Sequence, residues 1–295
     1  MLGYMFIFIS AAFAVTKGFC SKKVSGSVKT LRDNLDISLF RNIIVCLFSF
    51  VTLLLLGKPD FSISPFEMVI CAISGISMAV FISSWLFAIK SDSYMLVSAC
   101  ASSSFIVPAV LGIFFLGEKL TWNKVIAFII IVSALFFLLK YNTKLNGKIT
   151  VRSLILMAAT LLFQGINQAM QKMYVYYIPD KDMSYYTLYS AIFTVLAIIV
   201  MLPFSKRDKK DEDFTVLLDP KVLLYATIMA LALFGNSYFQ TLAAKSIDAI
   251  ILYPATNALS LGGSSIMSSI FFGEKMNRDS IIGVILVFAA MLFAR

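Results

Sequence analysis

The sequence predicts an all-α membrane protein with ten transmembrane helices, arranged as two five-helix repeats of inverted topology. Three observations support this fold class: the composition, ten apolar segments of spanning length, and a motif that occurs once in each half. Hydrophobic residues make up 60% of the 295 residues and charged residues 14%, whereas soluble domains are closer to half apolar and a quarter charged. This composition indicates a chain that crosses a bilayer several times.

Ten apolar segments follow one another along the chain, each near the ~20 residues that span a bilayer. They cover residues 2–20, 37–56, 66–89, 93–116, 123–140, 151–175, 184–203, 221–244, 248–271 and 279–294. The first segment carries Lys17 near its end and is followed by Ser-Lys-Lys rather than a small-residue cleavage site. We therefore expect it to be the first span and not a signal peptide.

A repeated motif divides the chain into halves. Residues 108–119 read Pro-Ala-Val-Leu-Gly-Ile-Phe-Phe-Leu-Gly-Glu-Lys, and residues 268–275 read Ser-Ser-Ile-Phe-Phe-Gly-Glu-Lys. Five spans per half is an odd number, so the second half enters the bilayer from the opposite side, which makes an inverted repeat. The predicted domains are residues 1–145 and residues 146–295.

The loop charges predict the orientation in the membrane. Sixteen lysines and arginines lie in odd-numbered loops, and seven lie in even-numbered loops or at the C-terminus. The positive-inside rule then places the odd loops in the cytoplasm and both termini outside. The net charge of +9 indicates loops that face anionic lipid and not a nucleic-acid partner, since no soluble basic domain is present.

Several kinds of chemistry lack candidate residues. The chain has no histidine, and its four cysteines, Cys20, Cys46, Cys71 and Cys100, lie in or beside apolar runs without metal-ligand spacing. We therefore expect no metal site and no cofactor. No acidic residue falls in the middle third of any predicted span, which disfavours proton coupling through a buried carboxylate.

The two Phe-Phe-(Leu)-Gly-Glu-Lys motifs, the spacing from Pro108 to Glu118, and Arg41 near the start of the second span resemble the EamA-type branch of the drug/metabolite transporter superfamily. This resemblance extends over the whole chain. It implies a ten-helix transporter with a central substrate cavity between the halves. The first, third and fourth helices of each half would line most of that cavity.

Polar side chains at helical spacing within spans are the candidate substrate contacts, because a polar group is costly in hydrocarbon unless it faces the bundle interior or a wet cavity. Such stripes occur on the sixth, eighth and ninth predicted spans. The candidate binding residues are Trp85, Gln164, Asn167, Gln171, Asn236, Gln240, Tyr253 and Asn257. The alternative is that these groups hydrogen-bond neighbouring helices, at about 0.6 kcal/mol each. Trp85 and Tyr253 either stack on a substrate or simply pack.

Four charged residues need separate interpretation. Lys17 and Arg41 are expected to snorkel toward the membrane surface, with contact to an anionic substrate group as the alternative. Glu118 and Glu274 lie at the ends of predicted helices. We expect them to pair with Lys119 or Lys275, or to interact with the N-terminus of the next helix.

The function predicted from these features is that of a secondary carrier in the cytoplasmic membrane. It would move a small neutral or zwitterionic metabolite, such as an amino acid, by alternating access, as an exporter or an exchanger. The chain is not expected to be an enzyme. The alternatives are a membrane-embedded enzyme acting on a lipid-linked substrate, or a structural or receptor-like membrane protein. Whether the protein is a monomer or a homodimer is left open.

Overall fold

A computed structural model describes most of the chain. The described residues are 2–25, 27–28, 30–56, 61–91, 101, 103–119, 121–140, 151–205, 216–272, 278, 281–283, 285–286 and 289. The predicted boundary between residues 145 and 146, residues 93–100 of the fourth predicted span, and the second Gly-Glu motif at Gly273 and Glu274 lie outside these residues.

The described residues form nine α-helices and three short 3₁₀ turns. The helices are α1 (Leu2–Ser25), α2 (Leu31–Leu56), α3 (Pro65–Ser91), α4 (Ile106–Phe115), α5 (Trp122–Lys140), α6 (Val151–Tyr177), α7 (Met183–Met201), α8 (Pro220–Ala244) and α9 (Ala249–Phe272). Each one corresponds to the predicted span of the same number. Residues 281–283 and 285–286, in the tenth predicted span, are also helical.

The membrane-spanning character of the helices follows from their length and composition. Within the described residues, five helices (α1, α2, α3, α7 and α8) are long and apolar enough to cross a membrane. Shorter apolar stretches cover Ser103–Phe115 and Trp122–Ala134. Large apolar side chains such as Leu55 and Phe114 are 81% and 78% exposed, and in a bilayer these surfaces face lipid. The protein is an all-α membrane protein.

Polar residues fix where several helices begin. The Asp182 carboxylate accepts a hydrogen bond from the Ser184 N–H and so caps α7. At the start of α3, the Glu67 N–H donates to Ser64 Oγ while the Ser64 N–H donates to a Glu67 carboxylate oxygen. This reciprocal pair satisfies two N–H groups that the helix itself leaves free.

The packing of the helices is pseudo-symmetric. Helix α1 packs most extensively against α8, and α3 packs most extensively against α6. These two pairs are equivalent if α1 corresponds to α6 and α3 to α8. Helix α2 packs against its own equivalent, α7. The first half begins at the end of the bundle where Gly3 lies against Ser246, and the second half begins at the other end, as an inverted repeat requires.

Glycines allow the closest approach between the halves. A Cβ atom at Gly75 of α3 would lie 2.6 Å from the Ser190 carbonyl oxygen of α7, and one at Gly165 of α6 would lie 2.7 Å from the Ser104 carbonyl oxygen. Because real Cβ atoms do not come this close to backbone atoms, larger residues would force these helices apart. Small residues at helix contacts are typical of membrane bundles.

Candidate functional site

The polar stripe of α6 lies at the interface between the two halves. The Asn167 side-chain amide donates to the carbonyl oxygen and to Oγ of Ser74 on α3, at 3.1 Å each. The Gln171 amide donates to Thr241 Oγ1 at 2.7 Å and to the Ser237 carbonyl oxygen at 3.2 Å, both on α8. In this conformation, Asn167 and Gln171 therefore hold α6 against its neighbours.

Asn236 on α8 has a comparable contact with the first helix. Its Oδ1 accepts a hydrogen bond from Ser10 Oγ at 2.9 Å, and its carbonyl oxygen lies 3.2 Å from the same hydroxyl. Gln240, one turn further along α8, is only 8% exposed. Both predicted residues of α8 thus face the interior of the bundle.

Two predicted residues carry buried polar atoms without a hydrogen-bond partner. These atoms are Oε1 of Gln164, on α6, and the hydroxyl of Tyr253, on α9. The Tyr253 side chain is fully buried. An unpaired buried polar group costs about 1–3 kcal/mol, so these two atoms destabilise this conformation. The remaining two predicted residues, Trp85 on α3 and Asn257 on α9, are half-buried.

A short 3₁₀ turn, Ser103–Phe105, lies between α6 and α9, the helices that carry Gln164 and Tyr253. Ser104 Oγ donates to Gln168 Oε1 on α6 at 3.3 Å, and Phe105 belongs to the same apolar cluster as Tyr253. The turn packs against both α6 and α9. The sequence indicated a continuous fourth helix here and did not predict the turn.

A cluster of polar side chains that the sequence did not reveal lies near the start of α3. Glu67 is 1% exposed, and its carboxylate accepts a hydrogen bond from the Tyr174 hydroxyl at 2.9 Å and pairs with Lys181 at 2.7 Å. Nearby, the hydroxyls of Ser74 and Tyr186 lie 2.7 Å apart. No sequence pattern joins these residues, because they come from α3, α6 and α7.

The first Gly-Glu motif ends α4 and contacts the other half. Gly117 has a φ of +64°, a left-handed conformation that glycine adopts without strain. The turn directs the Glu118 carboxylate to the start of α9, where its oxygens accept the Ala249 N–H at 2.9 and 3.0 Å. Gly112 leaves space for this carboxylate, since a Cβ there would lie 2.7 Å from Glu118 Oε2.

The expected partners of Glu118 are therefore wrong in detail. Glu118 interacts with a helix N-terminus, but this belongs to α9 and not to the following helix, α5. Its ionic partner is Lys172, whose Nζ lies 3.3 Å from Glu118 Oε1, and not Lys119. Lys172 continues the polar face of α6 one turn beyond Gln168, and this spacing was the signal in the sequence that could have identified it.

Three ion pairs connect the halves at one end of the bundle. They are Glu67–Lys181, Glu118–Lys172 and Lys124–Asp248. Each pair joins a charged residue of the first half to an oppositely charged residue of the second half. All three pairs lie near the helix ends that border even-numbered loops. Among the described residues, the remaining ion pair, Arg32–Asp36, lies within α2. The two halves are thus joined by charged contacts at the even-loop end.

Two cations lie inside the bundle at the other end. Because α2 begins at Leu31, Arg41 is ten residues, or roughly 15 Å, from the start of the helix. It is 9% exposed. The expected snorkelled position of Arg41 is therefore wrong, since its side chain is enclosed by protein. Lys17, on α1, is half-buried.

These features define the class of protein. Two inverted helical repeats that meet along polar stripes, with ion pairs between them at one end, are the architecture of a membrane transporter for small molecules. The sequence profile of the EamA-like transporter family matches residues 1–140 and again residues 151–295. The chain therefore belongs to the EamA-like transporter family, within the drug/metabolite transporter superfamily.

Comparison with solved structures supports the same fold. A chain described only as the crystal structure of a protein superposes with a TM-score of 0.78 at 12% sequence identity. The match covers 99% of this chain and 96% of the other. At this identity the likeness shows the fold alone. No curated protein matches the sequence.

Proposed function

We propose that the protein is a secondary carrier that moves a small neutral or zwitterionic metabolite, such as an amino acid, across the cytoplasmic membrane by alternating access. Export or exchange is the proposed direction. The observation that carries this proposal is the set of three inter-half ion pairs at the even-loop end of an inverted repeat. Such a bundle has two conformations of similar energy, related by exchange of the roles of its halves.

The ion pairs act as a closed gate in this proposal. Lys124 and Asp248 are partly exposed, at 22% and 34%, so this pair can separate at little desolvation cost. Lys172 and Glu118, at 10% and 7%, and Glu67, at 1%, are buried, so their pairs separate only if water or new polar partners reach them. Opening the even-loop end requires separation of α3 from the α6–α7 connection and of α4 from the start of α9. Under the predicted orientation the even loops are extracellular, so this conformation is closed to the outside.

The binding site in this proposal lies between the halves, on the predicted polar faces. Gln164 and Tyr253 provide the polar atoms that have no partner in the closed conformation. Asn257 and Trp85 contribute half-buried surface. Asn167, Gln171 and Asn236 hold the helices together here, and they become substrate contacts only if their present hydrogen bonds open. Gln240 completes the polar face of α8.

Uptake into liposomes tests the proposed function. Purified protein is reconstituted and exposed to labelled amino acids, nucleosides, vitamins and quaternary amines, with protein-free liposomes as the baseline. We expect saturable uptake of at least one neutral or zwitterionic compound and reduced apparent affinity in Q164L. Saturable uptake of polyvalent cations alone, or no uptake above baseline for any compound, contradicts the proposal.

A further inference from the structure

Lys17 of α1 and Arg41 of α2 lie at a similar depth, on two helices that both pack against α8. Cys20 of α1 and Ile37 of α2 belong to one buried cluster, together with residues of α8. Lys17 precedes Cys20 by three positions and Arg41 follows Ile37 by four, so each cation is one turn further into the bundle.

Apolar layers lie on both sides of Arg41. Ala226 and Met229 of α8 belong to the layer nearer the loop. Val45 of α2 packs with Ala230 of α8 in the next layer inward. Arg41 lies between these layers, where α8 presents small side chains. Arg41 is therefore held beside α8 with apolar packing on either side of it along the helix.

The charges of Lys17 and Arg41 are uncompensated by the residues that the structure describes. No carboxylate of those residues lies within 4.0 Å of either cation, and Arg41 Nε is buried without a hydrogen-bond partner. Arg41 lies between apolar layers, and in such surroundings a second positive charge is repelled more strongly than it is in water. Intramembrane cations are usually paired or mark a binding site. An anionic group between them would remove the repulsion and satisfy Nε.

We propose that Lys17 and Arg41 together bind an oxyanion of the transported compound, and that this oxyanion is a carboxylate. The guanidinium offers a planar set of donors that matches a carboxylate, and the ammonium adds a second charge. The inference rests on the proposed carrier function and narrows its substrate to compounds with a carboxylate, as in a zwitterionic amino acid. A phosphate ester has the same chemistry, and the experiment distinguishes it.

Thermal unfolding in phosphatidylcholine nanodiscs tests the site without requiring transport. The probes are amino acids and their amides (leucine against leucinamide, phenylalanine against phenylalaninamide), and inorganic phosphate against chloride at equal ionic strength. We expect at least one acid to bind at least about tenfold more tightly than its amide, as expected for loss of a charge-assisted hydrogen bond. R41Q and K17M should lose this preference, and R41K should retain most of it.

The control is K23Q, which removes an exposed cation from the same helix and should keep the preference. Stabilisation by phosphate alone, lost in R41Q, supports the oxyanion site and assigns it to phosphate esters. No stabilisation by any acid or by phosphate, an unchanged preference in R41Q, or a response only with added phosphatidylglycerol overturns the inference. Liposome uptake with an unchanged preference in R41Q contradicts the site and leaves the carrier function intact. Arg41-dependent binding without any uptake supports the oxyanion site and contradicts the carrier function.

Discussion

The carboxylate of Glu118, in the first half of the chain, accepts the backbone N–H of Ala249, in the second half, at 2.9 and 3.0 Å. Lys172 adds its charge to this contact and donates to the carbonyl oxygens of Ala244 and Ile247 at 2.8 and 2.7 Å. The positive end of the α9 dipole further favours the carboxylate. The Gly-Glu motif thus joins the C-terminus of α4 to the N-terminus of α9 across the pseudo-twofold axis.

Neutralising Glu118 should destabilise the protein. Its side chain is 7% exposed, and E118Q leaves the Lys172 charge buried with only carbonyl partners, at a cost of about 1–3 kcal/mol. Thermal unfolding in detergent measures the loss. K119Q, which removes the adjacent exposed charge, is the control and should unfold as the wild type does. Equal unfolding of E118Q and K119Q would show that the contact contributes nothing.

The left-handed conformation of Gly117 predicts that two substitutions at this position differ in stability. G117A places a Cβ on a left-handed residue and should cost about 1–2 kcal/mol, although the Cβ itself would meet no atom within 4 Å. Because asparagine tolerates this conformation better, G117N should cost less. The measurement is again thermal unfolding. Equal stability of G117A and the wild type would exclude backbone strain as the reason for glycine here.

The residues of the polar faces should divide into those that stabilise the fold and those that contact the substrate. N167A removes two hydrogen bonds to Ser74 and should lower stability by about 1 kcal/mol. Y253F removes a hydroxyl that has no partner, so it should leave stability unchanged or slightly raise it.

The same two variants should differ in transport. Y253F should raise the apparent KM for a transported compound, since the hydroxyl is then a substrate contact. Uptake kinetics in liposomes provide the test, with unfolding measured on the same preparations. A Y253F variant that is clearly destabilised, or that transports with wild-type KM, contradicts the assignment of Tyr253 to the binding site.

The gate can be tested through a native cysteine. Cys71 is fully buried on α3, one turn from Glu67. In a protein whose other cysteines are serine, E67Q weakens the contact with Lys181 and should increase the rate at which a maleimide labels Cys71. D180N, a change of an exposed acid at the same end, is the matched control. Equal labelling in E67Q, D180N and the parent protein would show that Glu67 does not hold this end closed.

The sequence predicted the helices well because their signals are local. Apolar length identified the spans, and the two Gly-Glu motifs identified the repeat, which the family match and the pseudo-symmetric helix pairs confirm. The polar stripe of α6 was also visible as periodicity. These features depend on residues that are close in sequence, and so they can be recognised without a structure.

The contacts of those polar residues could not be predicted in the same way. Gln171 meets Thr241 within the second half, and Glu118 meets Ala249 across the two halves. Both pairs depend on which helices, distant in sequence, become neighbours. Arg41 was misjudged because its burial depends on α7 and α8, which pack against α2 from the second half of the chain. The residues around Arg41 in the sequence carry no sign of those neighbours.

Counterflow in liposomes tests the central claim, that the protein is a carrier working by alternating access. Liposomes loaded with an unlabelled transported compound are diluted into a trace of the labelled compound, with no ion gradient. Alternating access predicts transient accumulation of label above equilibrium, because each return of the loaded site exchanges one molecule for another. Entry of label that is independent of the internal compound and does not saturate, or chemical conversion of the label, would contradict the claim.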